Sequence, residues 1–504
     1  MSYPLDFTLV KHEENKKMKK SFVLASLVVI IVTLLIACAP ATPAAPVVVK
    51  ETVAVPVKET VVVQQTVMAP TAAPIPDRVQ VYWYIGLGAG AQPAQIPLEK
   101  EWVDKFNKSQ KEIQLIPIIV DNKYARDNLT AQLAAGNAPD IVGPVGTAGR
   151  ASFPGAFLDL EPLVKEFKYD TSDIDPAFMQ FYKVEGKLEG LPFAIFPSMM
   201  FVNVDLFKEA KLDLPPQKVG EKYKLDGKEV EWNFDTLLEV AKRLTVDKNG
   251  NDATSPKFDS KNVVQWGFTP QWVRDSPRWF GTYFGAFYPV EGTDKAVLPD
   301  SEKAAIQWYS DAMWKHYVLP NAAQDAGDLL KGNAFSSGKV AMGLSHLWYT
   351  CCIDTKNVKN LQVAIVPSYK GKITSKMHGD TFAIMKDSKN SKAAFKVYTY
   401  MLGEGAADLY KIYGGLPARK GQQAAFFKDL DTKFAPNKIN WQVAIDMIPF
   451  MDAPNHELWT PNYNKAEDAW KKLGSDLASN PSLNVDKRVA DFIAELDKIY
   501  KEKK

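Results

Sequence analysis

From Val79 to Val142 the chain alternates strand and helix, and that order constrains its fold more than any other feature of the sequence. Val79-Gln80-Val81-Tyr82-Trp83-Tyr84-Ile85 is dense in β-branched and aromatic residues, which suit a pleated, buried surface. A Gly-rich loop follows, then an amphipathic segment from Leu98 to Phe106. A second strand at Ile113 to Val120 leads to a helix around Tyr124 to Ala135 and a short buried strand at Asp140-Ile141-Val142. Strands separated by helices pair in parallel, so the expectation is an α/β fold around a parallel sheet. Later helices show by spacing: Leu237, Leu238, Ala241 and Leu244 in one, Ala394, Val397, Tyr398 and Met401 in another, and Val485, Val489, Phe492, Leu496 and Ile499 in the last. These read as core stripes, one face buried and the other wet.

The first 76 residues belong to a different regime. Sixteen nearly all-apolar residues, Ser21 to Ile36, follow Lys16, Lys17, Lys19 and Lys20 and end in Ala37-Cys38. A bilayer-spanning helix needs about 20 apolar residues, so a cleaved export signal over residues 1–37 is the better reading than an uncut anchor. Asp6, Glu13 and Glu14 suit a signal start poorly, whereas Met18-Lys19-Lys20-Ser21 suits it well, and translation is expected to begin at Met18. Leu35-Ile36-Ala37-Cys38 resembles the bacterial lipobox, which implies that Cys38 becomes the acylated N-terminus and that several chains make the tether permanent. Residues 38–76 then form a stalk: Ala39 to Pro76 holds seven prolines and neither glycine nor aromatic residue. An extended chain of that kind reaches roughly 100 Å.

Beyond the stalk the chain is far longer than the roughly 250 to 300 residues at which a single core stops growing, so two lobes are expected. Lys and Arg total 61 against 59 Asp and Glu with no block of like charge, which argues against a nucleic-acid surface and for a small or neutral partner. Cys351 and Cys352 are the only cysteines left for a disulfide. Adjacent α-carbons lie about 3.8 Å apart, below the usual minimum for a bridge near 4.4 Å, so a buried free pair is the favoured reading over a strained bond.

Signatures of chemistry are thin. Gly86-Leu87-Gly88-Ala89-Gly90-Ala91 matches a dinucleotide loop, but Pro93 and Pro97 keep a helix from opening directly on it, and a glycine turn at the lip of a cleft is the better reading. Asp247-Lys248-Asn249-Gly250-Asn251-Asp252 has the alternating oxygens of a calcium loop, yet Phe258 stands where the bidentate glutamate belongs, so it reads as a turn. The histidines lack zinc spacing and no Gly-x-Ser-x-Gly elbow occurs. All 12 tryptophans follow residue 77, and Trp272, Trp279, Trp348 and Trp459 lie in loop-like stretches. Flat faces edged by Arg274, Asp275, Arg278, His346 and Asp380 would suit sugar rings, whose C–H faces stack and whose hydroxyls need polar partners; the alternative is that each tryptophan is a half-buried core residue.

Several segments occur in the order of a known family: Leu133 to Val142, Phe157 to Leu163, Gly186 to Phe193, Phe201 to Ala210, Leu237 to Gly250, Phe335 to Met342, Val363 to Pro367 and Gly415 to Arg419. With these the chain from Asp77 onward resembles the extracellular solute-binding proteins of family 1, which deliver sugars to bacterial ABC importers. The resemblance implies a two-lobed, periplasmic-binding-protein-like α/β fold with a hinge between lobes, ligand in the cleft, and closure on binding. It puts the first crossing near Pro192 to Pro197 and the returns near Pro367 and Gly414. One lobe would then hold 77–194 plus 367–413, the other 195–366 plus 414–504. It also implies Trp348 and Trp459 as first ligand contacts, with Tyr84, Trp272, Arg274, His346, Asp380 and Asn462 behind them. Departures are the loop Gly143-Pro144-Val145-Gly146, Phe196-Pro197, and an insertion from Pro216 to Trp232.

The expectation is a monomeric, lipid-anchored receptor on the outer face of the cytoplasmic membrane. It would capture a sugar or oligosaccharide for permease subunits, with no cofactor, metal or catalytic residue. The alternatives are a surface glycoside hydrolase, whose paired carboxylates meet only in space, and a lipoprotein that holds polysaccharide without transport.

Overall fold

Chain order gives β1 (Val79–Ile85), β2 (Ile113–Ile119) and β3 (Ile141–Val145), a small hairpin of β4 (Lys183–Val184) and β5 (Lys187–Leu188), then β6 (Ala194–Phe196) and β7 (Ser198–Asn203). A second hairpin, β8 (Tyr223–Leu225) and β9 (Lys228–Val230), precedes β10 (Val246–Asp247), β11 (Val263–Pro270), β12 (Val340–His346), β13 (Leu361–Ala364), β14 (His378–Ile384) and β15 (Leu416–Pro417). The computed structural model describes residues 75–502 except 272–276, 291 and 453–455. The leader, Cys38 and the stalk lie outside the described residues.

β1 forms over the stretch its composition indicates and pairs in parallel with β2 and β3, the connections being the helices Ile96–Ser109 and Asn122–Ala134. These helices bury Trp102, Val103 and Phe106, and Ala125 and Leu129, against opposite faces, which is why β2 and β3 read as nearly unbroken apolar runs. The first sheet runs β15-β6-β14-β3-β1-β2 and the second β10-β11-β12-β7-β13. The loop expected at Gly143 is strand as far as Val145, because β14 pairs antiparallel along that edge.

Only Pro197 separates β6 of the first sheet from β7 of the second. Proline has no amide hydrogen for a ladder, so one sheet ends and the other begins there. The chain returns to the first sheet between Ala364 and His378, and after β15 it runs into the closing helices Tyr463–Ser479 and Val485–Lys501. These two pack on each other, Trp470 against Phe492 at 4.5 Å, and both pack on the helix Asp300–Trp314. The insertion folds as the β8–β9 hairpin and seats Trp232 in the core against Tyr223 at 5.4 Å. Asp247 behaves as the turn reading requires: its carboxylate accepts from the amides of Asn249, Asn251 and Asp259 at 2.8 to 2.9 Å.

Gly267 on β11 lies under the helix Phe234–Leu244, where an added Cβ would sit 2.0 Å from the carbonyl oxygen of Ala241. Gly267→Ala is therefore expected to lower the unfolding free energy by about 1 to 3 kcal/mol through overpacking. Gly421→Ala, with open space around an exposed first helical turn, should leave stability unchanged or slightly raised. Urea denaturation of the two variants checks the pair.

Candidate functional site

In α/β sheets, ligands sit beyond the carboxyl ends of the strands. Here β1 and β3 end in the loop Gly86 to Ala91 and in Gly146 with the short helix Thr147–Ala151. Gly86 adopts φ +117°, and an added Cβ would lie 1.8 Å from the Val120 oxygen, so its role is close backbone approach at a turn. No helix opens on this loop; the next begins at Ile96, with Pro97 in its first turn.

Beside that end, β14 carries His378 and Asp380 two residues apart, hence on one face of the first sheet. β12 of the second sheet ends at His346 and continues into the 3₁₀ turn Leu347–Cys352 that carries Trp348. His346 pairs with Ser198 and His378 with Phe196, the residues on either side of Pro197. Strand pairing thus brings two imidazoles from different sheets into a stack, centroids 3.8 Å apart and 19° from parallel. Trp348 stacks on His346 at 5.8 Å, and Trp279 from the helix Arg278–Tyr283 presents an edge contact to His378 at 4.6 Å. The result is a row of four rings across the junction of the sheets.

His346 Nε2 and Trp279 Nε1 are buried and have no hydrogen-bond partner among the described residues. Buried polar atoms are almost always paired, so both retain bonding capacity at this junction. Burial, then His378 and Lys376, hold the His346 pKa well below the ordinary imidazole value against the pull of Glu457; burial, Lys376 and Arg278 do the same to His378. Both rings are neutral at physiological pH. Burial pushes the Asp380 carboxyl up to about 7, so near neutrality it both donates and accepts.

Beneath the rings lies a buried ionic network. The fully buried Lys376 ammonium meets Asp452 Oδ2 at 3.0 Å and Glu457 Oε1 at 3.2 Å. Burial opposes that charge, but the two carboxylates raise the lysine pKa. Arg278 meets Glu467 at 3.1 Å and Glu457 at 3.9 Å, and donates to Thr460 Oγ1 at 3.1 Å. Hydrogen bonds bind the same three passes of chain: the Ser198 amide donates to Ser375 Oγ at 3.0 Å, Ser198 Oγ to the Lys376 oxygen at 2.8 Å, and the Ser375 amide to the Phe450 oxygen at 2.8 Å. The turn His456–Trp459 also packs on the helix Thr147–Ala151, and Asn464 Nδ2 donates to the Ser152 oxygen at 3.2 Å. Trp459, half-buried, belongs to that contact.

Of the residues named from sequence, Trp348, His346 and Asp380 flank the junction and Trp459 lies in the contact with the helix Thr147–Ala151. Two others do not serve as expected. Tyr84 is fully buried, its hydroxyl donating to the Ala125 oxygen at 2.7 Å and meeting Asn128 at 3.1 Å, so it is core. Asn462 donates to the carbonyls of Ile499 at 2.6 Å and Glu502 at 2.9 Å, closing the end of the last helix. Arg278, read as a polar edge, is buried in the ionic network, and Trp279 stands on a helix rather than a loop. Trp272, Arg274 and Asp275 lie outside the described residues. Cys351 and Cys352 are not a buried free pair: their sulfurs are bonded, 2.35 Å apart, with Cys351 exposed, because the 3₁₀ turn ends at the surface. Sequence reasoning missed His378 as a site residue, although its two-residue spacing from Asp380 on a strand was a usable signal. It also missed Lys376, whose partners lie far along the chain.

The sequence pattern of the bacterial extracellular solute-binding proteins matches residues 92–408. The chain belongs to that family. This solute-binding protein is similar, at 26% identity over 136 residues, to the arabinooligosaccharide-binding protein of Bacillus subtilis (strain 168), a stretch covering 27% of this chain and 31% of that one. It is similar in structure to an ABC substrate-binding protein from Listeria monocytogenes in complex with cycloalternan, at 18% identity and a TM-score of 0.65 over 85% of this chain and 100% of that one. It is also similar to an ABC transporter solute-binding protein from Thermotoga lettingae bound with α-D-tagatose, at 19% identity and a TM-score of 0.63 over 84% and 100%. These likenesses bear out the two-lobed α/β fold.

Lys376→Ala removes the buried cation that Asp452 and Glu457 share and is expected to cost about 3 to 5 kcal/mol of stability in this solute-binding protein. Lys105→Ala, whose partner Asp408 is solvent-exposed, should leave the denaturation midpoint nearly unchanged. Chemical denaturation compares them.

Proposed function

We propose that the chain is a lipid-anchored receptor that captures a sugar or oligosaccharide at the junction of its lobes and hands it, unaltered, to an ABC permease. The observation that carries this reading is the four-ring row with His346 Nε2 and Trp279 Nε1 unpartnered among the described residues. Trp348 and Trp279, half-buried on the flanks of the row, offer apolar ring surface to the C–H side of a sugar, and the two nitrogens with Asp380 offer bonds to its hydroxyls. A neutral pair of imidazoles and a half-protonated carboxyl suit an uncharged guest. The named ligands of the relatives, arabinooligosaccharide, cycloalternan and α-D-tagatose, are all carbohydrates, which supports the same class here.

Trp348, His346 and Asp380 are the proposed contacts, joined by Trp279 and His378, with Trp459 on the opposite side; Trp272 and Arg274, outside the described residues, stay candidates from the sequence alone. Cys38 is the proposed acylation site, holding a monomer at the outer face of the membrane. Binding and closure are the whole mechanism. No proton or group is transferred.

Arabinooligosaccharides, maltotriose and α-D-tagatose are expected to raise the melting temperature of the purified chain, whereas peptides and polyamines leave it unchanged; a guest at 100 times its Kd adds about 2.7 kcal/mol. Trp348→Ala should weaken the bound sugar by roughly thirtyfold, about 2 kcal/mol, in calorimetric titration. A rise with peptide alone, or release of reducing ends from the oligosaccharides, overturns the reading. Cys38→Ala is expected to move the protein from the membrane pellet to the soluble fraction after cell lysis and to abolish incorporation of a labelled fatty acid.

A further inference from the structure

We propose that the His346–His378 stack is a pH-operated latch between the lobes: protonation of either imidazole separates the rings and opens the cleft. The two histidines reach their contact from different sheets, β12 and β14, on either side of the single-residue crossing at Pro197. Because the rings belong to strands of different sheets, a rotation of one sheet against the other at Pro197 changes their stacking. While they are stacked at 3.8 Å, a proton on one ring places a cation against its neighbour's face in a site closed on its flanks by Trp348 and Trp279.

The surrounding charges reinforce this. Among the described residues the charged groups acting on the pair are Lys376, from the chain pass leading into β14, Arg278, from the helix that carries Trp279, and Glu457, from the turn His456–Trp459. Two of the three are cations, and the one anion is already engaged by both, at 3.2 and 3.9 Å. Asp380, two residues from His378 on the same face of β14, has its carboxyl raised by burial to about 7 and is protonated as pH falls toward 5, so a new positive charge finds no free counter-ion among the described residues there, whereas a histidine released into water is protonated near its ordinary pKa of about 6.5.

The sign follows from linkage. Both imidazoles titrate lower when closed than when open, so the latch holds fully above about pH 6.5 and weakens as pH falls below it, until the closed-state values are reached. Each ring shifts the equilibrium by up to about tenfold per pH unit, or roughly thirtyfold between about pH 6.5 and pH 5; Asp380, raised by burial to about 7, titrates in the opposite sense and offsets one ring's share, so the two rings together set the direction. The consequence for a bound guest rests on the function proposed above. The opening itself does not.

The test therefore reads the lobes without sugar. Spin labels on Lys123→Cys and Lys471→Cys, exposed positions on helices of the two lobes, report their separation in the full-length, detergent-solubilised chain by pulsed dipolar spectroscopy. The expected result is a short distance at about pH 7.5 and a longer one at about pH 5. His378→Phe, which keeps an aromatic face and removes the titration, should hold the short distance at both. An unchanged distance in the otherwise native chain overturns the proposal, as does equal opening in His378→Phe; if that variant fails to fold, the native pH profile still decides. With maltotriose as probe, affinity should fall over the same range. Absence of binding at about pH 7.5 would count against the sugar reading, leaving the distance measurement to judge the latch.

Discussion

Lys376 is wholly buried, and among the described residues it is the carboxylates of Asp452 and Glu457 that favour an ammonium there. Around that point three separate passes of the chain, at Ser198, at Ser375 to Met377 and at Phe450 to Asp452, are bound to one another by side-chain and backbone hydrogen bonds. Everything at the site hangs from this knot. It fixes where β6 gives way to β7, hence which residues of β12 and β14 face each other, and it holds Glu457 in place at the start of the turn that carries Trp459. An ionic centre at a junction costs desolvation that an apolar one would not. In return it is directional: ammonium and guanidinium accept only certain placements of their partners, so the passes meet in one register.

From that register the chemistry of the cleft follows. Two imidazoles kept neutral by burial and by neighbouring cations, two indoles and a carboxyl near half-protonation make a surface with flat apolar faces, unpartnered polar atoms and little net charge. Under the proposed function such a surface would discriminate by shape and hydroxyl pattern rather than by charge. The ionic groups Lys376, Arg278, Asp452, Glu457 and Glu467 are buried or nearly so and paired among themselves.

Much of the fold was legible because it rests on local pattern. β1 shows in six β-branched and aromatic residues among its seven, and Ala394, Val397, Tyr398 and Met401 are all buried where a 3.6-residue stripe puts them. The family resemblance, carried by turn residues such as Pro139-Asp140 and Gly338, is borne out by the match over residues 92–408. The site was less legible because its contacts are not local. Tyr84 reads as a strand-end aromatic at a cleft, but strand alternation turns it toward Ala125 and Leu129. Asn462 is a ligand candidate by the family resemblance alone, yet the carbonyls of Ile499 and Glu502 claim it. His346 and His378 are two of five scattered histidines, made neighbours only by the change of sheet at Pro197. Lys376 looks like any surface lysine until its partners are folded over it.

The central claim is that the row of rings between the sheets is where a carbohydrate is held intact. A crystal structure of the chain grown with an arabinooligosaccharide or maltotriose tests it most directly. The account predicts a sugar ring stacked on Trp348, hydroxyls bonded to His346 Nε2, Trp279 Nε1 and Asp380, and every glycosidic bond unbroken. A sugar bound on another surface with the four rings undisturbed, or cleaved products in the cleft, would contradict it.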